Sequence, residues 1–147
     1  MNGWVVCSKN VALLAQRRSD IDTYRSDRFT FAREHAHVWF DILEDLERRE
    51  KGAVNRLKAD MNGVTLIGEY IGAQEHQHLV KYSRVTIIFY AVVSNDSDDT
   101  CWPCEDAFEL FDKYNLDKVH IRSLGLFSDF DKMCDTLVNV FREVAKA

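Results

Sequence analysis

The run Val85-Thr86-Ile87-Ile88-Phe89-Tyr90-Ala91-Val92-Val93 constrains the fold more than any other stretch of the chain. Its residues are mostly β-branched and aromatic, which favours a strand, and both alternating sets are largely apolar. A strand that is apolar on both faces must be covered on both, so the run predicts a central strand. The rest of the chain has to supply that cover. With 147 residues, 46% of them hydrophobic, there is enough material for one domain with a real core.

Helical periodicity shows where the cover comes from. Ala32, Ala36, Trp39, Phe40, Leu43 and Leu46 recur at spacings of three and four within residues 30–50, which places them on one face of a long helix. After Gly52, residues 53–59 add two turns through Val54 and Leu57. A second helix opens near Pro103 and carries Phe108, Leu110, Phe111 and Tyr114, with Asn115 as its stop. A last helix, 129–145, carries Phe130, Met133, Leu137, Phe141 and Val144 on one stripe, with Ser128 and Asp131 as a capping pair.

The remaining strands are shorter. Residues 4–7 and 11–15 flank Ser8-Lys9-Asn10 in a hairpin pattern, and residues 16–28 read as a polar loop. Val64 to Tyr70 follows the turn signal Met61-Asn62-Gly63, residues 71–78 read as a polar loop, and Val119 to Leu124 reads as a short strand. The order ββ–α–β–β–α–β–α with a hairpin at its start favours the α+β class over a doubly wound sheet.

The chain holds 24 acidic and 19 basic residues, a net charge of −5, which argues against a protein that coats nucleic acid through bulk charge. No run of 18 apolar residues and no basic segment leading into an apolar one is visible, so no membrane partner is expected and an intracellular location, cytoplasm or nucleus, is. In that setting Cys7, Cys101, Cys104 and Cys134 are expected as thiols.

Four groups invite a chemical reading. Cys101-Trp102-Pro103-Cys104 sits at a helix start, where helix amides can lower a thiol pKa; structural thiols, a thiol oxidoreductase and half of a zinc site all stay open. The acidic stretch Ser94-Asn95-Asp96-Ser97-Asp98-Asp99-Thr100 before it works against thiolate formation. His76, His78 or His120 would have to complete a metal site, and nothing nearby in sequence does so; His35 and His37 lie two apart on a helix and do not share a face. Phosphate-cradling glycine loops and nucleophile elbows are absent. The third group is Gly68-Glu69 at the end of its strand, where glycine admits close approach and a carboxylate can accept a ribose hydroxyl; a solvated strand-end glutamate is the plain alternative. Phe89 and Tyr90 face opposite ways on the central strand, so one packs inward and the other is free to stack on a base, unless both are core.

The segments Gly63-Val64-Thr65-Leu66-Ile67-Gly68-Glu69-Tyr70-Ile71-Gly72 and Val85–Val93 resemble the Gly-Glu strand and the following aromatic strand of the covalent nucleotidyltransferases, and among them the ATP-dependent RNA ligases. The separation of about twenty residues and the long preceding helix suit that family, and Trp102 to Ile121 resembles the helix and strand that come next. Cys7-Ser8-Lys9-Asn10 looks like the turn after the catalytic lysine, where Lys9 would touch phosphate or an RNA end. The resemblance implies a mainly antiparallel sheet with flanking helices, ATP and Mg2+ as cofactors, RNA as partner, and a nucleotide site at Gly68, Glu69, Phe89, Tyr90 and Lys9. It implies a reaction that joins RNA ends through a lysyl-AMP.

The same comparison of motifs sets the limit. The family's Lys-x-Asp-Gly is missing: the nearest string, Lys58-Ala59-Asp60, is followed by Met61. The later Glu-Gly strand and Lys-x-Lys strand are missing too, and with them the charge stabilisation that nucleotidyl transfer needs. Residues 1–147 are therefore expected to form a single partial domain with no catalytic residue and no metal ligand of its own, inactive alone. The expected alternative is a non-catalytic module that binds a nucleotide, RNA or protein. A truncated domain is also expected to expose sheet edges and to be marginally soluble.

Overall fold

The computed structural model describes residues 3–71, 85–121 and 126–146. Strands β1 (Trp4–Ser8) and β2 (Val11–Ala15) form the expected hairpin across Lys9-Asn10, with Trp4 opposite Ala15 and Ser8 opposite Val11. Their inward set, with Trp4, Leu13 and Ala15 buried, faces α2 (Thr30–Arg49). Trp4 meets Trp39 edge-on at 5.3 Å. The expected stripe of α2 is buried along its whole length, from Ala32 to Leu46.

Residues 16–28 are more ordered than a loop. A short helix α1 (Arg18–Ile21) and a single 3-10 turn, Asp27–Phe29, occupy them. The Asp20 carboxylate accepts the amides of Gln16 and Arg17 at 2.9 and 3.1 Å and starts α1. Ile21 is fully buried, and Arg18 reaches α2, 2.6 Å from Asp41 and 3.0 Å from Glu44. Tyr24 closes the segment: its hydroxyl accepts the Leu14 amide at 2.9 Å.

Helix α3 (Ala53–Asp60) follows α2 after a sharp turn. Glu47, on α2, accepts the amides of Gly52 and Val54 at 2.6 and 3.2 Å. These two bonds, Gly52's first, hold its carboxyl below the usual carboxylate range.

Strands β3 (Val64–Ile71) and β4 (Thr86–Ser94) pair antiparallel. The register runs from Val64 opposite Ser94 to Ile67 opposite Ala91, then shifts to Gly68 opposite Phe89 and Glu69 opposite Ile88. Tyr90 is thus the extra residue of a β-bulge. On its other edge β4 is satisfied by irregular chain. Trp102 donates to the Val92 carbonyl, Phe89 to that of Asp117 and Ser94 to that of Thr100, each at 2.8 Å; Val119 donates to the Phe89 carbonyl at 3.0 Å. β4 thus has hydrogen-bonded neighbours on both edges, but its sheet has two strands and Tyr90 on one face is half exposed, so it is not the fully covered central strand expected from its composition.

Helix α4 (Cys104–Lys113) packs on β4 and ends where Asn115 takes the left-handed conformation, φ 52°. Asp129, rather than Ser128, caps α5 (Phe130–Lys146): its Oδ1 accepts the amide of Asp131 at 2.8 Å. The expected strand at 119–124 is reduced to a parallel bridge between Lys118 and Phe89, and residues 122–125 lie outside the described residues. Ile71, expected in a loop, ends β3, and the rest of that loop, 72–78, with the run 79–84 lies outside the described residues.

The class is α+β, with two small antiparallel sheets rather than one. α2 packs against both the hairpin and β4. The core between them gathers Trp4, Leu13, Trp39, Leu57, Phe89, Val92 and Phe111.

Candidate functional site

The two motif strands lie side by side, so Gly68 and Glu69 sit directly opposite Phe89 and Ile88. Phe89 points into the core and is 4% exposed. Its ring is 5.9 Å from Trp39 and 5.7 Å from Phe111, which leaves no room for a base against it. Tyr90 is 48% exposed. The alternation expected from the strand thus holds for this pair, and Tyr90 is the ring free to stack. Glu69 is exposed and Tyr90 stands two residues along β4 from its cross-strand partner.

Gly68 is what lets the strands close up here. A Cβ at this position would lie 2.7 Å from Ile87 Cγ2 and 2.8 Å from the Ile88 carbonyl oxygen. Only glycine allows the ladder to continue past the bulge without displacement. Behind it, Tyr70 lies against the ring of His35 at 4.6 Å. Lys9 is exposed in the β1–β2 turn, on the other sheet, and no ladder or hydrogen bond joins it to Glu69 or Tyr90.

Lys58-Ala59-Asp60 closes α3 and serves the fold. The Lys58 ammonium lies 5.5 Å from the centre of the Trp4 ring. Asp60 Oδ2 accepts from Lys113 Nζ at 2.7 Å and also from the Tyr114 hydroxyl, which ties α3 to the end of α4. The Lys113 bond first, and the Tyr114 bond second, hold the Asp60 carboxyl below its usual range. A depressed carboxyl stabilises the fold above its unfolded pKa, about 3.9, and that contribution is lost as pH falls through the lower folded value. Asp60→Asn is expected to lower stability by a constant amount from pH 5 to 8, with the difference from the parent chain closing as pH falls along the acid limb. An acid limb identical to that of the parent chain would contradict the assignment.

Cys101 pairs with Val93 in an antiparallel bridge, and Cys104 is the first residue of α4. Both thiols are exposed and free, as is Cys7, and Cys134 is free and partly buried. Among the described residues no group of three or more His, Cys, Asp or Glu is placed to hold a metal ion. His37 lies 3.3 Å from Asp22, His120 is exposed, and His76 and His78 lie outside the described residues.

One hollow escapes a reading of the sequence. A cleft of about 340 Å³ opens between α2 and the start of β4, lined by Asp41, Asp45, Arg49, Thr86 and Asp117 among others. Thr86 is buried there, and its hydroxyl donates to Asp117 Oδ2 at 2.9 Å. Threonine inside an apolar run was the only local signal, and its partner comes 31 residues later. A second, shallower hollow of about 460 Å³ lies beside Trp102 and Lys113, with Asp60, Asp106 and Glu109. Both are richer in carboxylates than in cations, so neither suits a polyphosphate.

Among the described residues, no helix is long and apolar enough to cross a membrane. No family model, no curated protein and no solved structure matches this chain.

Proposed function

We infer that this chain is a non-catalytic nucleoside-recognition module on a scaffold related to the ATP-dependent RNA ligases. The observation that supports the reading best is the bulge at Gly68. Tyr90 is half exposed there, two residues along β4 from the cross-strand partner of the exposed Glu69, while the neighbouring Phe89 is sealed in the core. An exposed ring offers a stacking surface for a base, and a carboxylate at this spacing can accept a ribose hydroxyl.

Of the ATP and Mg2+ that the resemblance implies, this reading keeps the nucleoside part. A net charge of −5 and the acidic hollows oppose a triphosphate, and no lysine stands in a Lys-x-Asp-Gly motif to accept a nucleotidyl group. RNA remains a source of the same nucleoside chemistry.

Calorimetric titration of the full chain with adenosine, ATP and a short adenine-containing RNA tests the proposal. Weak binding of adenosine is expected. It should weaken roughly five- to hundredfold in Tyr90→Ala, the range of one base-stacking contact. Glu69→Gln should erase the preference for adenosine over its 2′,3′-dideoxy analogue. No detectable binding of any of the three ligands at millimolar concentration would overturn the proposal. Incubation with labelled ATP and Mg2+ is expected to leave no covalent adenylate on the chain after denaturing electrophoresis, and a lysyl adduct, acid-labile and base-stable, would contradict the non-catalytic reading.

A further inference from the structure

Asn62 and Gly63 form the turn between α3 and β3, and both are exposed. Among the described residues the Asn62 side chain has no hydrogen-bond partner, and the Gly63 amide donates to nothing. The bonds that hold the turn use other atoms. The Asn62 amide donates to the Ala59 carbonyl at 3.3 Å and the Val64 amide to that of Met61 at 3.0 Å, while the Gly63 carbonyl accepts the Asn95 amide at 2.8 Å. Gly63 is left-handed, φ 76°, and nothing lies within 4 Å of the place a β-carbon would take.

An asparagine side chain and the next main-chain nitrogen can close a five-membered ring. Hydroxide removes the Gly63 amide proton, and the nitrogen attacks Asn62 Cγ. A Cγ–N bond forms, the Cγ–Nδ2 bond breaks, and Nδ2 takes a proton from water and leaves as ammonia. Water then opens the succinimide. Opening at Cγ gives aspartate, and opening at the main-chain carbonyl carbon gives isoaspartate. A hydrogen-bonded amide resists the first step, and a β-carbon on the following residue crowds the second. Gly63 presents neither obstacle.

Other asparagines meet at least one of them. Asn55 and Asn115 precede Arg56 and Leu116, whose amides donate to the carbonyls of Gly52 and Phe111 at 3.2 and 2.9 Å. Asn139 lies inside α5 before Val140. Asn10 precedes Val11 and Asn95 precedes Asp96. Asn2 also precedes a glycine, and it lies outside the described residues.

We propose that Asn62-Gly63 is a self-modifying site, at which the folded chain loses ammonia and becomes aspartate or isoaspartate. Either product adds one negative charge to the net −5. Isoaspartate also inserts a methylene into the main chain just before Gly63, whose carbonyl holds the Asn95 amide. That insertion loosens the start of the β3–β4 ladder, where Val64 pairs with Ser94. This inference does not depend on nucleoside binding.

Peptide mapping of the full chain, held at mildly alkaline pH and body temperature, tests it. Electron-transfer fragmentation separates aspartate from isoaspartate. Asn62 should convert at a rate of the same order as in a free peptide of residues 60–65, and faster as pH is raised. Asn55, Asn115 and Asn139 should stay intact over the same period. Asn62→Gln should block the conversion, because its ring would be six-membered, and Gly63→Ala should slow it at least severalfold. The Asn95 amide should exchange with deuterium faster in the purified isoaspartyl chain than in Asn62→Asp, which has the same charge and no inserted methylene. An Asn62 that survives in the folded chain while the free peptide converts would overturn the proposal. So would conversion of Asn62 no faster than of Asn55, and equal Asn95 exchange in the two chains would contradict the effect on β3.

Discussion

Phe111→Ala is expected to destabilise the fold by about 3–5 kcal/mol, the range for emptying a well-packed aromatic site. Phe111 is fully buried, and its ring lies 5.7 Å from Phe89 and 6.0 Å from Phe108. It joins α4 to β4, and Phe89 passes the contact on to Trp39 of α2. Removing it opens a cavity between three elements that cannot all close inward. The loss is a large share of the roughly 5–15 kcal/mol that a domain holds in total. Urea titration followed by tryptophan fluorescence reads the effect directly. An unchanged midpoint would mean that α4 is not anchored through this ring.

Gly68→Val is expected to have the other large effect, with Gly68→Ala milder at about 1–3 kcal/mol. The new Cβ would meet the Ile88 carbonyl oxygen at 2.8 Å, which is backbone and cannot swing aside. The strands must separate where the bulge lies, so the variant should lose both stability and the placing of Glu69 relative to Tyr90. Gly63 makes a useful contrast. Nothing lies near its missing Cβ, but its φ of 76° is left-handed. Gly63→Ala should therefore cost only about 1–2 kcal/mol, from backbone strain alone. Equal urea midpoints for Gly68→Val and Gly63→Ala would argue that β3 and β4 are not packed as closely as described.

The two large effects fall on parts of the fold that differ in how far the sequence announces them. The apolar run of β4 and the stripe of α2 declare themselves, because burial on both faces or on one leaves a periodic trace. α1 leaves none: Ile21 is a single apolar residue among polar ones, and the contacts that hold the segment, Arg18 to Asp41 and Glu44, come from residues 23 and 26 further on. The pairing of the described strands into two sheets, with α2 packed against both, is likewise tertiary and no local pattern encodes it. Within the expected strand at 119–124, the described residues 119–121 form no strand, and the hydrogen bonds to β4 are made around Lys118.

At the site, alternation places Phe89 and Tyr90 on opposite faces but cannot say which face is filled. Trp39 and Phe111 decide that. That Tyr90 has no partner across β3 depends on the pairing of Gly68 with Phe89, which becomes visible only when both strands are in register. Lys9 shows the opposite case. Its position after a short strand suits the family pattern, yet it ends on a separate hairpin.

Chemical-shift mapping on the isotopically labelled chain tests the nucleoside platform most directly. On addition of adenosine, the amides of Gly68 to Tyr70 and Ile88 to Ala91 are expected to move together along one binding curve, and in Tyr90→Ala they should stay still. Shifts that instead centre on Thr86 and Asp117 in the cleft, or no shifts at all at saturating ligand, would contradict the assignment of Tyr90 and Glu69 as a nucleoside-binding pair.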